Sequence, residues 1–134
     1  MQATFNVRTS SRTTFVDITR DVQRAVEELG VAAGAVLVYC PHTTAAITIN
    51  ESADPDVVRD IDSKLGRLVP HADGYRHSEG NSDAHVKSSL VGCSETVLVE
   101  GGALVLGTWQ GVFFCEFDGP RTRTVIVGAI ASGD

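Results

Sequence analysis

Short apolar runs with the period of β-strands dominate this chain, and only three helical segments interrupt them. Four strand-like runs follow one another in the last forty or so residues: Thr96 to Val99, Ala103 to Leu106, Val112 to Phe117 and Val125 to Ile130. Gly101-Gly102 and Asp118-Gly119 lie between runs and predict hairpin turns. A succession of strands without alternating helices excludes a repeating βαβ architecture and predicts an α+β domain.

Two longer helices are predicted before this strand-rich region. The first runs from about Ile18 to Leu29, with apolar residues at helical spacing and Gly30 suited to its left-handed end. The second begins with the cap and first-turn proline of Asp54-Pro55, and Pro70 ends it. Its apolar stripe consists of Val58, Ile61, Leu65 and Leu68. Between the helices lie two strand-like runs, Ala35 to Cys40 and Ala45 to Asn50.

Length and charge limit the classes of partner. We expect residues 1–134 to form a single domain, because 134 residues can bury a core without cross-links. The net charge of −6 argues against nucleic acid as a partner, because phosphate contacts need clustered Lys and Arg. One local basic pocket for a small phosphorylated ligand remains compatible with this charge.

Cysteine usage and the absence of long apolar runs predict a cytoplasmic protein. Cys40, Cys93 and Cys115 are odd in number and lack metal or redox spacing, so we expect three reduced, largely buried thiols. Residues 1–14 are polar and do not resemble a signal peptide. No run approaches the roughly 20 apolar residues of a membrane span, so no membrane partner is expected.

The first polar motif, Pro41 to Glu51, joins the two middle strands. His42 lies where one strand ends and the next begins, and neutral imidazole is a common metal ligand. Thr43 and Thr44 add hydroxyl and backbone N–H groups that could bind an anion. The alternative is a surface loop with one solvated histidine.

The second polar motif, Tyr75 to His85, holds two histidines in a segment that no apolar core could use. Asn81, Ser82 and Asp83 are all strong helix caps, and a short helix from Ala84 to Val91 is expected to follow. The N–H groups at such a helix start favour an anion.

Three histidines, His42, His77 and His85, are compatible with an open metal site, although their spacing is not diagnostic. The alternative is that they are surface and capping residues. His71 is interpreted as solvent-exposed.

The C-terminal half carries two further polar motifs. Trp109 is expected in the core or in a subunit interface, whereas Gln110 could contact a ligand or the backbone. Arg121 and Arg123 share one strand face and suit bidentate phosphate binding. The alternative is that Glu116 and Arg123 are cross-strand surface partners.

Four motifs together resemble the YjbQ-like proteins, also called the secondary thiamine-phosphate synthase family. They are Pro41-His-Thr-Thr-Ala-Ala-Ile-Thr-Ile-Asn-Glu51, Tyr75-Arg-His-Ser-Glu-Gly-Asn-Ser-Asp-Ala-His-Val-Lys87, Leu106-Gly-Thr-Trp-Gln110 and Glu116-Phe-Asp-Gly-Pro-Arg-Thr-Arg123. The resemblance covers nearly the whole chain. It implies an α+β fold around a mixed, mostly antiparallel, barrel-like sheet, and a homotrimer.

By position, the resemblance implies one site with three groups of residues. His42, His77 and His85 would hold a divalent zinc or magnesium ion; Glu51, Asp83 and Gln110 would be catalytic neighbours; Thr43, Thr44, Asn81, Ser82, Arg121 and Arg123 would bind the anion. The family name implies the joining of hydroxymethylpyrimidine diphosphate to a thiazole phosphate, with release of pyrophosphate.

Two classes of function remain open at this point. One is a metal-dependent enzyme acting on small phosphorylated metabolites. The other is a non-catalytic trimeric sensor that binds such a metabolite. The surplus of ionisable groups in the polar motifs, such as Glu51, Glu79 and Asp83, favours catalysis, because simple anion binding would avoid carboxylates.

Overall fold

The structure is a computed structural model that describes residues 1–130. Its elements in chain order are β1 Gln2–Arg8, β2 Thr14–Asp17, α1 Thr19–Leu29, β3 Ala33–Tyr39, β4 Ala45–Glu51, α2 Pro55–Leu68, α3 Ser82–Val91, β5 Ser94–Glu100, β6 Ala103–Leu104, β7 Gln110–Glu116 and β8 Thr122–Ile130. The predicted α+β class with two main helices and one short helix is confirmed. Several boundaries differ from the expected ones by a few residues; for example, α3 begins at Ser82 instead of Ala84, and β6 ends at Leu104 instead of Leu106.

The strands form two sheets, and all their ladders within residues 1–130 are antiparallel. The five-stranded sheet has the order β1-β8-β3-β5-β6, and the three-stranded sheet has the order β2-β7-β4. Non-local pairs dominate, since β8 joins the N-terminal strand β1 to the middle strand β3.

A main core lies between the two sheets and α1. The first helix inserts the predicted face, including the buried Val22, Ala25 and Val26. Opposite it, Ile47 of β4 pairs with Phe114 of β7, and both are fully buried. Burial of these side chains from three layers fixes the sheets relative to one another.

A smaller core covers the opposite face of the three-stranded sheet. Ala46, Cys115 and Phe117 pack there against Ala84 of α3, with Leu65 of α2 partly buried against them. Because both faces of β7 are covered, its residues from Gly111 to Glu116 are all buried. The sheet therefore forms the central layer of the molecule, with α3 lying along β4.

The segment Asp118-Gly119 does not form the expected hairpin. It carries the chain from β7 in the small sheet to β8 in the large sheet, so these two consecutive strands do not pair. The turn residues signalled a reversal correctly, but the partner of each strand is chosen by long-range packing. Gly101-Gly102 does form a hairpin turn, with Glu100 opposite Ala103.

Several side chains are more exposed than the sequence suggested. Trp109 is 63% exposed, so it is not in the core of the chain, and the alternative of a subunit interface stays a prediction. Of the three thiols expected to be largely buried, Cys93 is exposed and the other two are buried. No residue of α2 is fully buried, and Leu68 at the end of its apolar stripe is 63% exposed. In residues 1–130 no helix combines the length and apolarity needed to cross a membrane.

Candidate functional site

A polar cleft lies where β3 ends, β4 and β8 begin and α3 starts. Its volume is about 340 Å³. Its walls bring together most of the motif residues: Pro41, His42, Thr43, Thr44, Glu79, Asn81, His85, Asp118, Arg121 and Arg123. Segments about 80 residues apart in sequence meet here because β8 returns the C-terminal motif beside β3. We call this space the polar compartment.

His42 is held by the backbone of β8. Its Nε2 accepts a hydrogen bond of 3.0 Å from the backbone N–H of Thr124. Burial lowers the pKa of His42 below its usual 6.5, and the positive charge of Arg123 lowers it further. The imidazole is therefore neutral at pH 7, with its lone pair used at Nε2 and its proton on Nδ1. In this state His42 is a hydrogen-bond donor.

A buried ion pair forms the wall behind the cleft. Glu116 of β7 accepts hydrogen bonds from Nε and Nη2 of Arg123 on β8. The same Nη2 donates to Thr44 Oγ1 at 2.8 Å, and Thr9 Oγ1 donates to Glu116 at 2.8 Å. Glu116 and Arg123 are thus partners, as one sequence interpretation held, but they link the two sheets from inside instead of pairing on the surface.

One nitrogen of Arg123 is left for a ligand. Its Nη1 has no hydrogen-bond partner among residues 1–130, and it is not fully enclosed. Arg123 lines the polar compartment, so Nη1 is the guanidinium nitrogen still available to a ligand bound there. Because one edge of the guanidinium is already held in place, a ligand that binds the free nitrogen does not have to immobilise the side chain, and little further rotamer freedom is lost.

The Glu116 carboxylate stays ionised in spite of its burial. Burial alone would raise the pKa of Glu116, but hydrogen bonds from Arg123, Thr9 and the Asp118 N–H outweigh it and hold the pKa below its usual 4.5. Gly119 makes room for this arrangement, because a Cβ there would lie 2.8 Å from both Glu116 Cγ and Thr9 Oγ1.

Arg121 and Asn81 share one carboxylate at the cleft rim. Asp118 Oδ2 accepts 2.9 Å hydrogen bonds from Asn81 Nδ2 and from Arg121 Nη2. The side chain of Arg121 is 53% exposed, so it can turn toward a ligand. Asn81 Oδ1, by contrast, is buried without any partner among residues 1–130. A buried oxygen without a partner can accept a hydrogen bond from a bound ligand or coordinate a cation.

The start of α3 contributes backbone groups next to this rim. No side chain caps the helix at Asn81, and the N–H groups of Ser82 and Asp83 have no partner within residues 1–130. These donors and the helix dipole favour negative charge at this end. Ser82 itself does not line the polar compartment, so its predicted contact with the anion is limited to this neighbouring position.

The structure brings two of the three predicted metal ligands together. The rings of His77 and His85 are 5.5 Å apart between centroids, and Glu79 lies 3.7 Å from His77 Nε2. His42 lines the same cleft as His85, but its Nε2 lone pair is already used. Within residues 1–130, no group of three or more His, Cys, Asp or Glu side chains is arranged to hold a metal ion. The rings of His77 and His85 are adjacent, whereas His42 in its present hydrogen bond could not offer Nε2 to a metal. The three-histidine metal site stays a prediction.

Asp83 lies away from the cleft and has a structural environment. It is fully buried, and both its oxygens accept 3.0 Å hydrogen bonds from Arg12. Lys87, one turn further along α3, lies 4.0 Å from it. Burial would raise the pKa of Asp83, but the Arg12 guanidinium lowers it below its usual value. The carboxylate anchors the loop before β2 to α3, and the predicted catalytic role would need a ligand contact that this burial does not provide.

Glu51 and Gln110 lie at the other end of the small sheet. They face each other at one end of the β4–β7 ladder, whereas Ala45 opposite Glu116 marks the cleft end. Six residue steps at about 3.3 Å each put roughly 20 Å between the two ends. Gln110 Oε1 instead accepts from the Gly107 N–H, as one sequence alternative held. Within one chain these residues therefore do not contact the polar compartment.

A second compartment continues the cleft, and four of its lining residues were not predicted from the sequence. It has a volume of about 560 Å³ and shares His42, Thr43 and His85 with the first. Its own walls are Ser88, Ser89, Gly92 and Cys93. We call it the neutral compartment, because no Asp, Glu, Lys or Arg lines it. Cys93 could have been predicted to line a site only if its exposure had been known. That exposure depends on the turn after α3, which the sequence did not predict in detail.

The comparisons with known proteins agree with this fold. The model of the family described as UPF0047 protein YjbQ-like matches residues 3–132. The chain belongs to the YjbQ-like (UPF0047) family. YugU of Bacillus subtilis, a UPF0047 protein, is 53% identical over 128 residues, covering 95% of this chain and 97% of YugU. A UPF0047 protein of Methanocaldococcus jannaschii is 52% identical, covering 94% of this chain and 91% of its own length.

Solved structures of YjbQ-like proteins show the same architecture. The crystal structure of an uncharacterized conserved protein from Clostridium acetobutylicum has a TM-score of 0.93 at 53% identity, covering 96% of this chain and 99% of that one. A hypothetical protein from Aeropyrum pernix has a TM-score of 0.92 at 36% identity, covering 98% and 99%. None of these names states a substrate or a reaction, so the family membership establishes the fold and the chemistry must be inferred from the cleft.

The buried ion pair generates a stability prediction. Glu116→Gln leaves Arg123 buried without its counter-charge, so we expect the free energy of unfolding at neutral pH to fall by roughly 3 kcal/mol. The pKa of Glu116 in the folded protein is below its usual 4.5. The ionised carboxylate therefore contributes its full stabilisation to the fold above pH 4.5, and this contribution is lost as the pH falls through the folded-state pKa. The difference between wild type and variant should therefore narrow below pH 4.5. Urea unfolding across pH measures it.

The exposed ion pair of α2 provides the matched control. Arg59 lies 3.0 Å from Asp56, and both side chains are more than 70% exposed. Arg59→Gln should change the unfolding free energy by no more than about 0.5 kcal/mol. Equal losses for the two variants, or a pH-independent difference for Glu116→Gln, would contradict the assignment of Glu116 as a buried, ionised partner.

Proposed function

We propose that this protein is a metal-dependent enzyme acting on small phosphorylated compounds, with the phosphate bound in the polar compartment. The observation that carries the proposal is the free Nη1 edge of Arg123, which the Glu116 pair fixes at the wall of the cleft. Arg121 and the Thr43 hydroxyl line the same space. Guanidinium and hydroxyl donors around one small volume suit phosphate oxygens.

The charge of the compartment explains why a cation belongs to the proposal. The charged side chains that line it balance, because Arg121 and Arg123 are matched by Asp118 and Glu79, and the carboxylate of Glu116 lies directly behind Arg123. No positive charge is left over to neutralise a phosphate dianion. A divalent cation bound with the phosphate would restore balance.

The residues that would hold this cation are His77 and His85. Two imidazoles with centroids 5.5 Å apart suit zinc, and magnesium would depend more on phosphate and carboxylate oxygens. Such an ion supplies electrostatic stabilisation of a departing phosphate group. The protein's own residues orient the phosphate through Arg123, and neutral His42 can donate a hydrogen bond from Nδ1 to it.

The candidate reaction is the one implied by the name of the resembled family, transfer of hydroxymethylpyrimidine from its diphosphate to a thiazole phosphate. Pyrophosphate would leave with the bonding electron pair, and the thiazole nitrogen would form the new bond to carbon. Guanidinium groups aimed at the leaving pyrophosphate lower the barrier for this step. The proposal places the enzyme in the cytoplasm.

The second candidate is a non-catalytic metabolite sensor. It is favoured by the distance of Glu51 and Gln110 from the cleft and by the burial of Asp83, since no free carboxylate except Glu79 is left there as a base. The two candidates share the binding site and differ in turnover.

The binding test uses inorganic pyrophosphate with magnesium. Arg121→Ala removes one of the two guanidinium groups, and we expect affinity to fall at least about tenfold, the value of one charge-assisted hydrogen bond. Arg24→Ala, an exposed arginine on α1, is the matched control and should bind like wild type. The affinity of each protein for pyrophosphate is measured by isothermal titration calorimetry. Equal affinity for wild type and Arg121→Ala would place the phosphate elsewhere.

Turnover separates the enzyme from the sensor. With the pyrimidine diphosphate and thiazole phosphate pair, the enzyme should release pyrophosphate well above a His42→Ala control. Binding by calorimetry with no release above that control would overturn the enzyme and favour the sensor.

Metal content tests the cation site separately. We expect wild type, stripped with chelator and reloaded with zinc, to retain more metal than His77→Ala or His85→Ala, because each variant loses one of the two imidazoles. His71→Ala is the control, since that exposed ring binds the Gly80 carbonyl through Nε2. Unchanged zinc in both His77→Ala and His85→Ala, measured by elemental analysis, would exclude this site.

A homotrimer also belongs to the proposal, and the outer face of the five-stranded sheet supports it. The cross-strand row Leu98, Ala35 and Ile130 points away from the core, and no helix packs over it within residues 1–130. Leu98 is 62% exposed. An open apolar sheet face on a chain of net charge −6 suits contact with further copies of the chain.

Sedimentation velocity tests the trimer. Wild type should sediment as three chains of 14.2 kDa each. Leu98→Asp should dissociate the trimer, because the introduced charge would be buried without a partner. Leu68→Asp on α2 replaces an equally exposed leucine and should remain trimeric. A wild-type monomer at micromolar concentration would refute the trimer, and a trimeric Leu98→Asp would exclude this face.

A further inference from the structure

The cleft has two chemically different halves. The polar compartment holds both guanidinium groups, whereas the neutral compartment of about 560 Å³ has no charged side chain in its walls. His42, Thr43 and His85 line both, so a single ligand can extend from one into the other.

The hydroxyl groups in the neutral compartment are already used by the fold. Ser88 Oγ donates to the Ala45 carbonyl at 2.7 Å, and Ser89 Oγ donates to the His85 carbonyl at 2.9 Å. Neither hydroxyl hydrogen is therefore free to donate to a ligand. A phosphate in this half would find no positive charge and few donors.

The turn after α3 keeps this half open. Gly92 has φ of +101°, a conformation that side chains rarely adopt, and a Cβ there would meet nothing within 4 Å. The neighbouring Cys93 contributes an exposed thiol to the wall. Small side chains and imidazole faces leave space for an uncharged group within the range of ligand pockets.

Resting on the proposed function, we infer that the ligand is a phosphate ester whose uncharged organic group occupies the neutral compartment beside Ser89 and Cys93. Inorganic phosphate would fill only the polar compartment. The organic group carries no charge of its own, since the walls of this half offer no counter-charge.

The affinity of phenyl phosphate relative to inorganic phosphate tests this inference. In one magnesium-containing buffer, wild type should bind phenyl phosphate at least about tenfold more tightly, the gain expected from burying roughly 60 Å² of ring surface. Ser89→Phe fills the neutral compartment and should remove this advantage while keeping the affinity for inorganic phosphate. Ser63→Phe, on the exposed face of α2, should keep both.

Alkylation of Cys93 gives a second readout that needs no variant. Cys40 and Cys115 are buried, and burial raises the pKa of the Cys40 thiol to about 11, so iodoacetamide should modify Cys93 selectively. Saturating phenyl phosphate should slow this modification at least fivefold, and saturating inorganic phosphate should leave it unchanged.

The outcomes separate this inference from the proposed function. Equal affinity for the two phosphates, or a Cys93 alkylation rate that bound phenyl phosphate does not change, would overturn the neutral compartment as a subsite while leaving phosphate binding intact. Failure of both phosphates to bind would overturn the proposed function and the inference together.

Discussion

The buried contact between Glu116 and Arg123 connects the architecture to the cleft. One residue belongs to the small sheet and the other to the large sheet, so their hydrogen bonds tie the two layers together inside the molecule. On either side of the pair, Thr9 donates a hydrogen bond to Glu116 and Thr44 accepts one from Nη2 of Arg123, which leaves Nη1 free. A buried charge pair of this kind adds little net stability, yet it is costly to break. The hydrogen bonds of the pair hold the Arg123 guanidinium in one orientation, and they determine where its free Nη1 lies.

Charge balance limits what the cleft can bind. Each arginine already has a carboxylate partner, so the polar compartment does not have the positive surplus of a simple anion site. It suits a phosphate that arrives with a cation. His85 lines the compartment and the ring of His77 lies 5.5 Å from it, so we expect the proposed cation on that side. The neutral half then distinguishes an organic phosphate from the inorganic ion.

Local sequence signals predicted the elements well, because helix starts and ends are local events. Asp54-Pro55 and Gly30 marked helix ends correctly, and the buried face of α1 followed from its spacing. Asp118-Gly119 signalled a turn but not its destination, since strand pairing depends on residues far away in the chain. The exposure of Trp109 and of α2 could not be predicted for the same reason: burial is a property of the assembled layers.

The sequence predicted which residues belong to the candidate site better than it predicted how those residues are arranged. Motif chemistry selected His42, His85 and Arg121, which do converge on one cleft. It could not distinguish them from Asp83, whose carboxylate is enclosed by Arg12, or from Glu51, which the β4–β7 register carries to the other end of the sheet. The hydrogen bond from the Thr124 N–H to Nε2, which leaves His42 to donate from Nδ1, could not be predicted either, because Thr124 is 82 residues away in the sequence.

The most direct test of the central claim is a crystal structure grown with magnesium and saturating inorganic pyrophosphate. The account predicts pyrophosphate oxygens within about 3 Å of Arg123 Nη1, with Arg121 turned toward them and the Glu116 pair unchanged. Pyrophosphate bound away from both arginines, or a cleft without it at saturation, would contradict the account.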